Sequence, residues 1–146
     1  MALFPNKDAR MTSSDGGVLI SDGRSSVRLT RMDKPNELGH PTLIEAQAGP
    51  FRGSVRDDTV YFGNFRSQLT KLYDTLSGDA KLASYEGFEL DLIGNGMGHI
   101  GADVTVIGQH VPLIRLTFGF SIDQTFLPMI IRQVDAEFPP PYRAAA

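Results

Sequence analysis

The sequence predicts an α+β two-layer sandwich, in which a mostly antiparallel sheet of about six strands carries two helices on one face. Segments 88–92, 100–106 and 114–120 alternate between apolar and polar residues with a period of two. Such alternation is typical of strands that bury only one face. Segments 65–76 and 127–138 instead repeat apolar residues at the spacing of an amphipathic helix.

The length and composition indicate one folded domain. The chain has 146 residues, of which 41% are hydrophobic and 21% are charged, and a domain of about this size can fold without covalent staples. It contains no cysteine, which excludes disulfides and Cys-based metal sites. We expect an extended or disordered lead-in at 1–16, a single domain at 17–143 and a cloning scar at 144–146.

The net charge of −3 limits the kinds of partner that the protein is expected to bind. Acidic and basic residues are interspersed, whereas nucleic-acid binders usually present a basic field to the phosphates. No apolar stretch approaches the ~20 residues that span a bilayer. We therefore predict a cytoplasmic protein that binds neither nucleic acid nor a membrane.

The N-terminal half begins with a predicted hairpin around Asp22-Gly23, a dipeptide typical of tight turns between strands. A proline-containing loop at 32–41 separates this hairpin from the next strands, and Asp57-Asp58 indicates a bend or bulge. The strands predicted in this half lie at 18–20, 27–30, 43–48 and 51–61.

The first helix should begin after Asn64, because a side-chain oxygen at this position can accept hydrogen bonds from the free amides of the first turn. Gly78 is the predicted C-terminal cap, and residues 79–87 are expected to form a connection.

The second helix should be capped by Asp123 or Thr125. Pro128 is tolerated only in the first turn of a helix, which favours Thr125. The three prolines from Pro139 onward end the helix.

One short motif matches a known cofactor pattern without its structural context. Residues 96–101 spell G-x-G-x-x-G, but a dinucleotide site needs a helix directly after this loop. A strand is predicted there instead, so we interpret the glycines as a hairpin turn and predict no cofactor.

Two groups of ionisable residues are candidate chemical sites. His99 with Asp91 and Asp103 could bind a divalent metal, and Asp57-Asp58 with Glu89 and Asp91 could supply a carboxylate pair for glycoside hydrolysis. We prefer a solvated polar sheet face for the first grouping, and a bend plus surface charge for the second. The sequence therefore predicts no catalytic residue and no metal ligand.

Partner binding remains the function that the polar residues suit best. Arg52, Arg56 and Arg66 with Tyr61 form a basic-aromatic patch near the start of the first helix, and other polar residues share the outer face of the C-terminal strands. The predicted partner-binding residues are Arg52, Arg56, Glu89, Asp91, His99, Asp103, Arg115 and Thr117.

A resemblance to a known family rests on two segments. They are residues 84–108, SYEGFELDLIGNGMGHIGADVTVIG, and residues 118–134, FGFSIDQTFLPMIIRQV. Both resemble the WapI-like family of immunity proteins from bacterial polymorphic toxin systems. The resemblance implies a non-enzymatic protein that binds and neutralises one cognate toxin domain. Members are each adapted to their own toxin, so no functional residue is carried over.

Two alternatives stay open at this point. The chain could be a small-ligand-binding or self-assembling module, because Gly-rich strands can leave a groove and an unpaired edge strand can dimerise. It could also be a metal-dependent enzyme that uses His99. We expect a monomer or a homodimer.

Overall fold

The computed structural model of the chain describes residues 16–140. The predicted lead-in before Gly16 and the predicted scar at 144–146 lie outside these residues. Within 16–140, eight strands form one antiparallel sheet, and each strand pairs with its neighbours in sequence. The strands are β1 (Val18–Ser21), β2 (Ser25–Arg31), β3 (His40–Ala48), β4 (Phe51–Val60), β5 (Ser77–Ser84), β6 (Phe88–Asn95), β7 (His99–His110) and β8 (Leu113–Asp123).

The predicted α+β class with an antiparallel sheet is confirmed, but the predicted number of strands is wrong. The connection expected at 79–87 contains β5, which pairs with β6 along most of its length. The side chains that β5 buries are Ala80, Leu82 and Ser84. Because two of these three are small, the alternation along β5 is too weak to stand out in the sequence.

The predicted bend or bulge at Asp57-Asp58 is also wrong, since β4 runs through both residues and keeps its register with β3. The Asp57 side chain instead joins β4 to the β5–β6 turn. Its Oδ2 accepts hydrogen bonds from Ser84 Oγ at 2.6 Å and from the amides of Glu86 and Gly87 at 2.7 and 2.8 Å. A carboxylate with three donors on one oxygen holds this junction together.

The sheet curls strongly after β4. β4 pairs with β5 only through Thr59 and Val60, so the first part of β4 can point away from β5. A Cβ placed on Gly53 would lie 3.5 Å from Cδ2 of Leu116 in β8. These strands are four positions apart in the sheet and would be about 19 Å apart if it were flat. The first and second halves of the sheet therefore face each other.

Both helices lie in the concave side of this sheet. They are α1 (Phe62–Thr75) and α2 (Leu127–Glu137). Phe62 stacks on Phe138 with ring centroids 4.1 Å apart, and the edge of the His40 ring packs against both. Most residues of the apolar stripes predicted for the two helices are buried in this core, but Tyr73 of the first stripe is 42% exposed. In the described part of the chain, neither helix is long and apolar enough to cross a membrane.

Both predicted caps of α1 are wrong. The helix begins at Phe62 after Tyr61, which has a φ of 66° and makes no side-chain capping hydrogen bond, so Asn64 lies inside the helix. Burial of Phe62 against Phe138 accounts for the earlier start, because packing contributes more to helix stability than a surface cap does.

The helix ends at Leu76, which has a φ of 60°, and Gly78 is already in β5. The amide of Gly96 donates a 2.7 Å hydrogen bond to the carbonyl of Leu76. This contact with the β6–β7 turn satisfies a carbonyl at the end of the helix.

The two caps predicted for α2 are Asp123 and Thr125. Asp123 Oδ1 accepts a 2.9 Å hydrogen bond from the amide of Thr125 and so caps the turn that leads into the helix, whereas α2 itself begins after Phe126 without a side-chain cap. The preference for Thr125 is therefore wrong. A 3-10 turn at Gln124–Phe126 precedes the helix. Pro128 lies in the first turn as predicted.

Replacement of Gly94 should test the contact between the β6–β7 hairpin and α1. A Cβ at Gly94 would lie 2.5 Å from the carbonyl oxygen of Leu76 and 2.7 Å from Cδ1 of Leu72. We expect Gly94→Ala to lower the free energy of unfolding by about 1–3 kcal/mol, measured by urea denaturation. Gly101→Ala in the same hairpin is the control, because its Cβ would meet nothing closer than 3.8 Å. Equal effects of the two changes would contradict this packing.

Replacement of Asp57 should change the acid stability. Burial alone would raise the pKa of its carboxyl, but the hydrogen bonds from Ser84 and three backbone amides outweigh burial and lower the pKa. A lowered pKa stabilises the fold fully above the unfolded value of about 3.9, and this contribution is lost as the pH falls through the folded pKa. We expect Asp57→Asn to cost about 1–3 kcal/mol at pH 7 and to flatten the fall in stability below about pH 4.

The control is Asp58→Asn, since Asp58 makes only a 3.3 Å side-chain contact with Asn36. A pH–stability curve of Asp57→Asn that runs parallel to that of the unchanged protein would rule out the assigned role of Asp57.

Candidate partner-binding face

The second half of the sheet turns a polar surface away from the core. We call this surface the acidic face and define it as the outward side chains of β5–β8. Residues at alternate positions of these strands are buried against the helices, so the intervening positions point outward. Its members with charged or hydroxyl side chains are Ser77, Asp79, Lys81, Glu89, Asp91, His99, Asp103, Thr105, Arg115, Thr117, Ser121 and Asp123.

The strand register places the predicted residues in rows across this face. Asp91 lies opposite Asp103, and Glu89 lies opposite Thr105, which in turn lies opposite Thr117. Arg115 lies one row further along, opposite Ile107. The geometry therefore brings together Glu89, Asp91, Asp103, Arg115 and Thr117, and their role in binding stays a prediction.

The pair Asp91 and Asp103 is electrostatically unfavourable, because like charges directly opposite each other on adjacent strands repel. Lys81 offsets the charge of Asp91 but is not paired with Asp103. Its Nζ lies 3.7 Å from Asp91 and 3.6 Å from Asp79. Burial, together with the nearby carboxylates of Asp79 and Asp103, raises the pKa of Asp91 against the opposing effect of Lys81. This part of the face therefore carries more negative charge than its own cation neutralises.

A concave pocket of about 430 Å³ lies at the centre of the acidic face. Tyr61 borders it, has 53% of its surface exposed and adopts the left-handed backbone conformation that is uncommon for a bulky residue. The pocket is lined by Tyr61, Lys81, Leu82, Ala83, Glu89, Leu90, Asp91, Asp103 and Thr105. The sequence did not indicate Lys81 because β5 was not predicted. Tyr61 was predicted as part of the basic-aromatic patch, but its place at this pocket depends on where α1 begins.

His99 does not join the two aspartates that were considered with it as metal ligands. It lies opposite Asp123 at the other end of the face and four residues from Asp103 along the same strand, a distance of about 13 Å. Within residues 16–140, no group of three or more His, Asp or Glu residues is arranged to hold a metal ion. The structure therefore does not bring His99 together with Asp91 and Asp103.

The predicted basic-aromatic patch is not assembled. Arg66 donates two hydrogen bonds, of 2.6 and 2.9 Å, to the carboxylate of Asp135 and so connects α1 to α2. These hydrogen bonds lower the pKa of Asp135. Arg52 and Arg56 are exposed on β4 before it meets β5. They therefore belong neither to the Arg66–Asp135 contact nor to the acidic face, which is formed by β5–β8.

The carboxylates considered for glycoside hydrolysis are also separated. Asp57 is directed at the β5–β6 turn by its hydrogen bonds, whereas Glu89 and Asp91 face outward on β6. The G-x-G-x-x-G segment forms the predicted turn, with positive φ at Gly96 and Gly98 and with β7 starting at His99.

Comparison with known proteins gives one family. The sequence model of the family described as the Immunity protein WapI-like family matches residues 20–140. This match extends well beyond residues 84–134, on which the predicted resemblance rests, and confirms it. No curated protein and no solved structure matches the chain significantly.

Removal of one charge from the Asp91–Asp103 pair should stabilise the fold. We expect Asp103→Asn to raise the free energy of unfolding by about 0.2–1 kcal/mol at pH 7. The Asp103 carboxylate is one cause of the raised pKa of Asp91, which means that the ionised Asp91 destabilises the fold at high pH. The gain from Asp103→Asn should therefore disappear as the pH falls and Asp91 becomes protonated. Glu37→Gln in the exposed loop before β3 is the control, because it also removes one carboxylate but lies in no helix or strand. A loss of stability in Asp103→Asn would contradict the assigned repulsion.

Proposed function

The chain belongs to the WapI-like immunity protein family, and we propose that it binds and neutralises one cognate protein toxin inside the cell that produces both. The match over residues 20–140 is the observation that carries this proposal. It supports an immunity role, and we infer that neutralisation occurs by binding rather than by catalysis.

We propose the acidic face as the surface that contacts the toxin. Carboxylates outnumber cations on it, and Asp91 and Asp103 repel each other as long as no further cation lies between them. A basic side chain from a partner would relieve that repulsion and fill the pocket at the same time. Complementary charge also speeds association and disfavours wrong partners. The expected counterpart on the toxin is therefore a Lys- or Arg-bearing surface.

Tyr61 gives the pocket a suitable anchor. Tyrosine is enriched among the residues that dominate binding energies, because it combines a large apolar area with a polar end. The exposed ring borders the carboxylate row, so a partner's cationic side chain could contact ring and carboxylates together. Arg52 and Arg56, on the far side of the β4–β5 junction, would then lie outside the central contact.

The pocket also supports the alternative of a small ligand. A volume of about 430 Å³ falls within the range of ligand pockets, and its lining offers carboxylates next to apolar side chains. A cationic small molecule would suit it better than an anionic one. A thermal-shift screen with small cations and anions would show a ligand as a raised melting temperature.

Charge reversal on the acidic face should weaken binding to the toxin. The toxin domain encoded next to this chain is the probe, and binding is measured by surface plasmon resonance at two salt concentrations. We expect Asp103→Lys to raise Kd by about tenfold or more, mainly through slower association, with a smaller difference at high salt. Asp74→Lys is the matched control, because it makes the same charge change on exposed helix α1.

Two negative results have different meanings. Absence of binding between the unchanged chain and the neighbouring gene product would remove the proposed function. Tight binding that Asp103→Lys and Asp74→Lys affect equally would keep the immunity role and remove the acidic face from it.

A further inference from the structure

The two edge strands of the sheet, β1 and β8, differ in how far other residues cover them. β1 is only four residues long, and side chains of α2 cover its outer edge. Gln133 Oε1 accepts a 2.9 Å hydrogen bond from the amide of Leu19, and Glu137 Oε1 accepts one of 3.3 Å from the amide of Gly17. Such a cover prevents an edge strand from pairing with another chain.

Among residues 16–140, no comparable hydrogen bonds cover the outer edge of β8. This strand is eleven residues long, and within residues 16–140 its only strand neighbour is β7. The strand contains neither lysine nor proline, which commonly block exposed edges. Leu113 and Ile114 are more than half exposed, and the half-buried rings of Phe118 and Phe120 stack at a centroid distance of 6.1 Å.

The sequence of β8 is complementary to itself in antiparallel orientation. Its charged residues are Arg115 and Asp123, and they are placed symmetrically about Gly119. A two-fold axis at Gly119 would set Arg115 opposite the partner's Asp123. The same register would pair Leu116 with the partner's Ile122, Thr117 with the partner's Ser121, and Phe118 with the partner's Phe120.

We propose that two copies of this chain associate through antiparallel pairing of their β8 strands, centred on Gly119. The occupant of the open edge is a second copy because both the charges and the aromatic residues match in this one register. Moving the axis to Phe118 would set Arg115 opposite Ser121 and Asp123 opposite Leu113. Pairing in parallel would instead bring like charges together.

The pairing would add two contributions to the backbone hydrogen bonds. Opposite charges and aromatic pairs across strands each contribute favourably. On the inner side, the four rings of Phe118 and Phe120 from the two copies would meet and lose their remaining exposure to water. On the outer side, the acidic faces of the two copies would become one continuous surface.

Cysteine cross-linking can test the register, since the chain has no cysteine of its own. The proposal predicts that Thr117→Cys and Ser121→Cys proteins, mixed and mildly oxidised, form a disulfide-linked dimer of one copy of each. Residues opposite each other on antiparallel strands have Cα atoms about 4.5–5.5 Å apart, which a disulfide can span. Each variant alone should stay uncross-linked, because its two cysteines would lie about 13 Å apart along the strands.

The control pair is Thr105→Cys with Ser121→Cys. Thr105 is on the same face but in β7, one strand away from the open edge, and should not cross-link. Light scattering of the unchanged chain over a concentration series should show a mass that rises towards twice that of the monomer. A monomer at every concentration would overturn the proposal. So would a dimer in which the single variants or the control pair cross-link as well as the predicted pair does.

Discussion

The curl of the sheet at the β4–β5 junction is the constraint on which the other features depend. β4 and β5 share only two residue pairs, so the two halves of the sheet can turn towards each other and enclose both helices. A flat sheet would leave the stacked rings of Phe62 and Phe138 open on one side. The Asp57 carboxylate fixes this junction, because it holds the amides of the β5–β6 turn against β4.

The same curl defines the outer surface. The helices occupy the concave side, so the convex side of β5–β8 is left to solvent and can carry polar groups at every second position. The arrangement tolerates an unfavourable pair such as Asp91 and Asp103 because the buried residues on the other side of the same strands supply the stability. Arrangements that cost stability without a packing gain are expected mainly at functional sites, which supports the proposal that this surface contacts the toxin.

Most of the helices and strands were predictable from the sequence, but the residues at which they begin and end were not. The alternation in β6, β7 and β8 and the stripes of the two helices depend on side-chain polarity alone, which the sequence displays directly. β5 escaped prediction because Ala80 and Ser84 are buried through their place beside β6 rather than through their own hydrophobicity. The caps at Asn64 and Gly78 failed for a related reason, since the contacts that set the ends of α1, from Phe138 and Gly96, are distant in sequence.

The candidate site, like the fold, was predictable from the sequence only in part. Glu89, Asp91, Asp103 and Thr117 could be assigned to one face because period-two alternation fixes which side a residue takes. Which residues become neighbours across strands depends on the strand register and on the start of α1, so the sequence did not place Lys81 and Tyr61 beside these carboxylates. The patch of Arg52, Arg56 and Arg66 failed because nearness in sequence around a junction between a strand and a helix says little about direction.

A strand-based surface also suits a protein that must match one particular partner. Each outward residue of β6 and β7 is flanked by inward ones, so Asp91 can change without altering the burial of Leu90 or Leu92. A helix cap or a turn such as 95–98 offers no such freedom, because the Asn95 side chain accepts hydrogen bonds from the amides of Met97 and His99. Selection for a new toxin could therefore change the outer positions of the strands independently of the fold. This separation of recognition from packing is a physical reason for placing the contact on the sheet rather than on its loops.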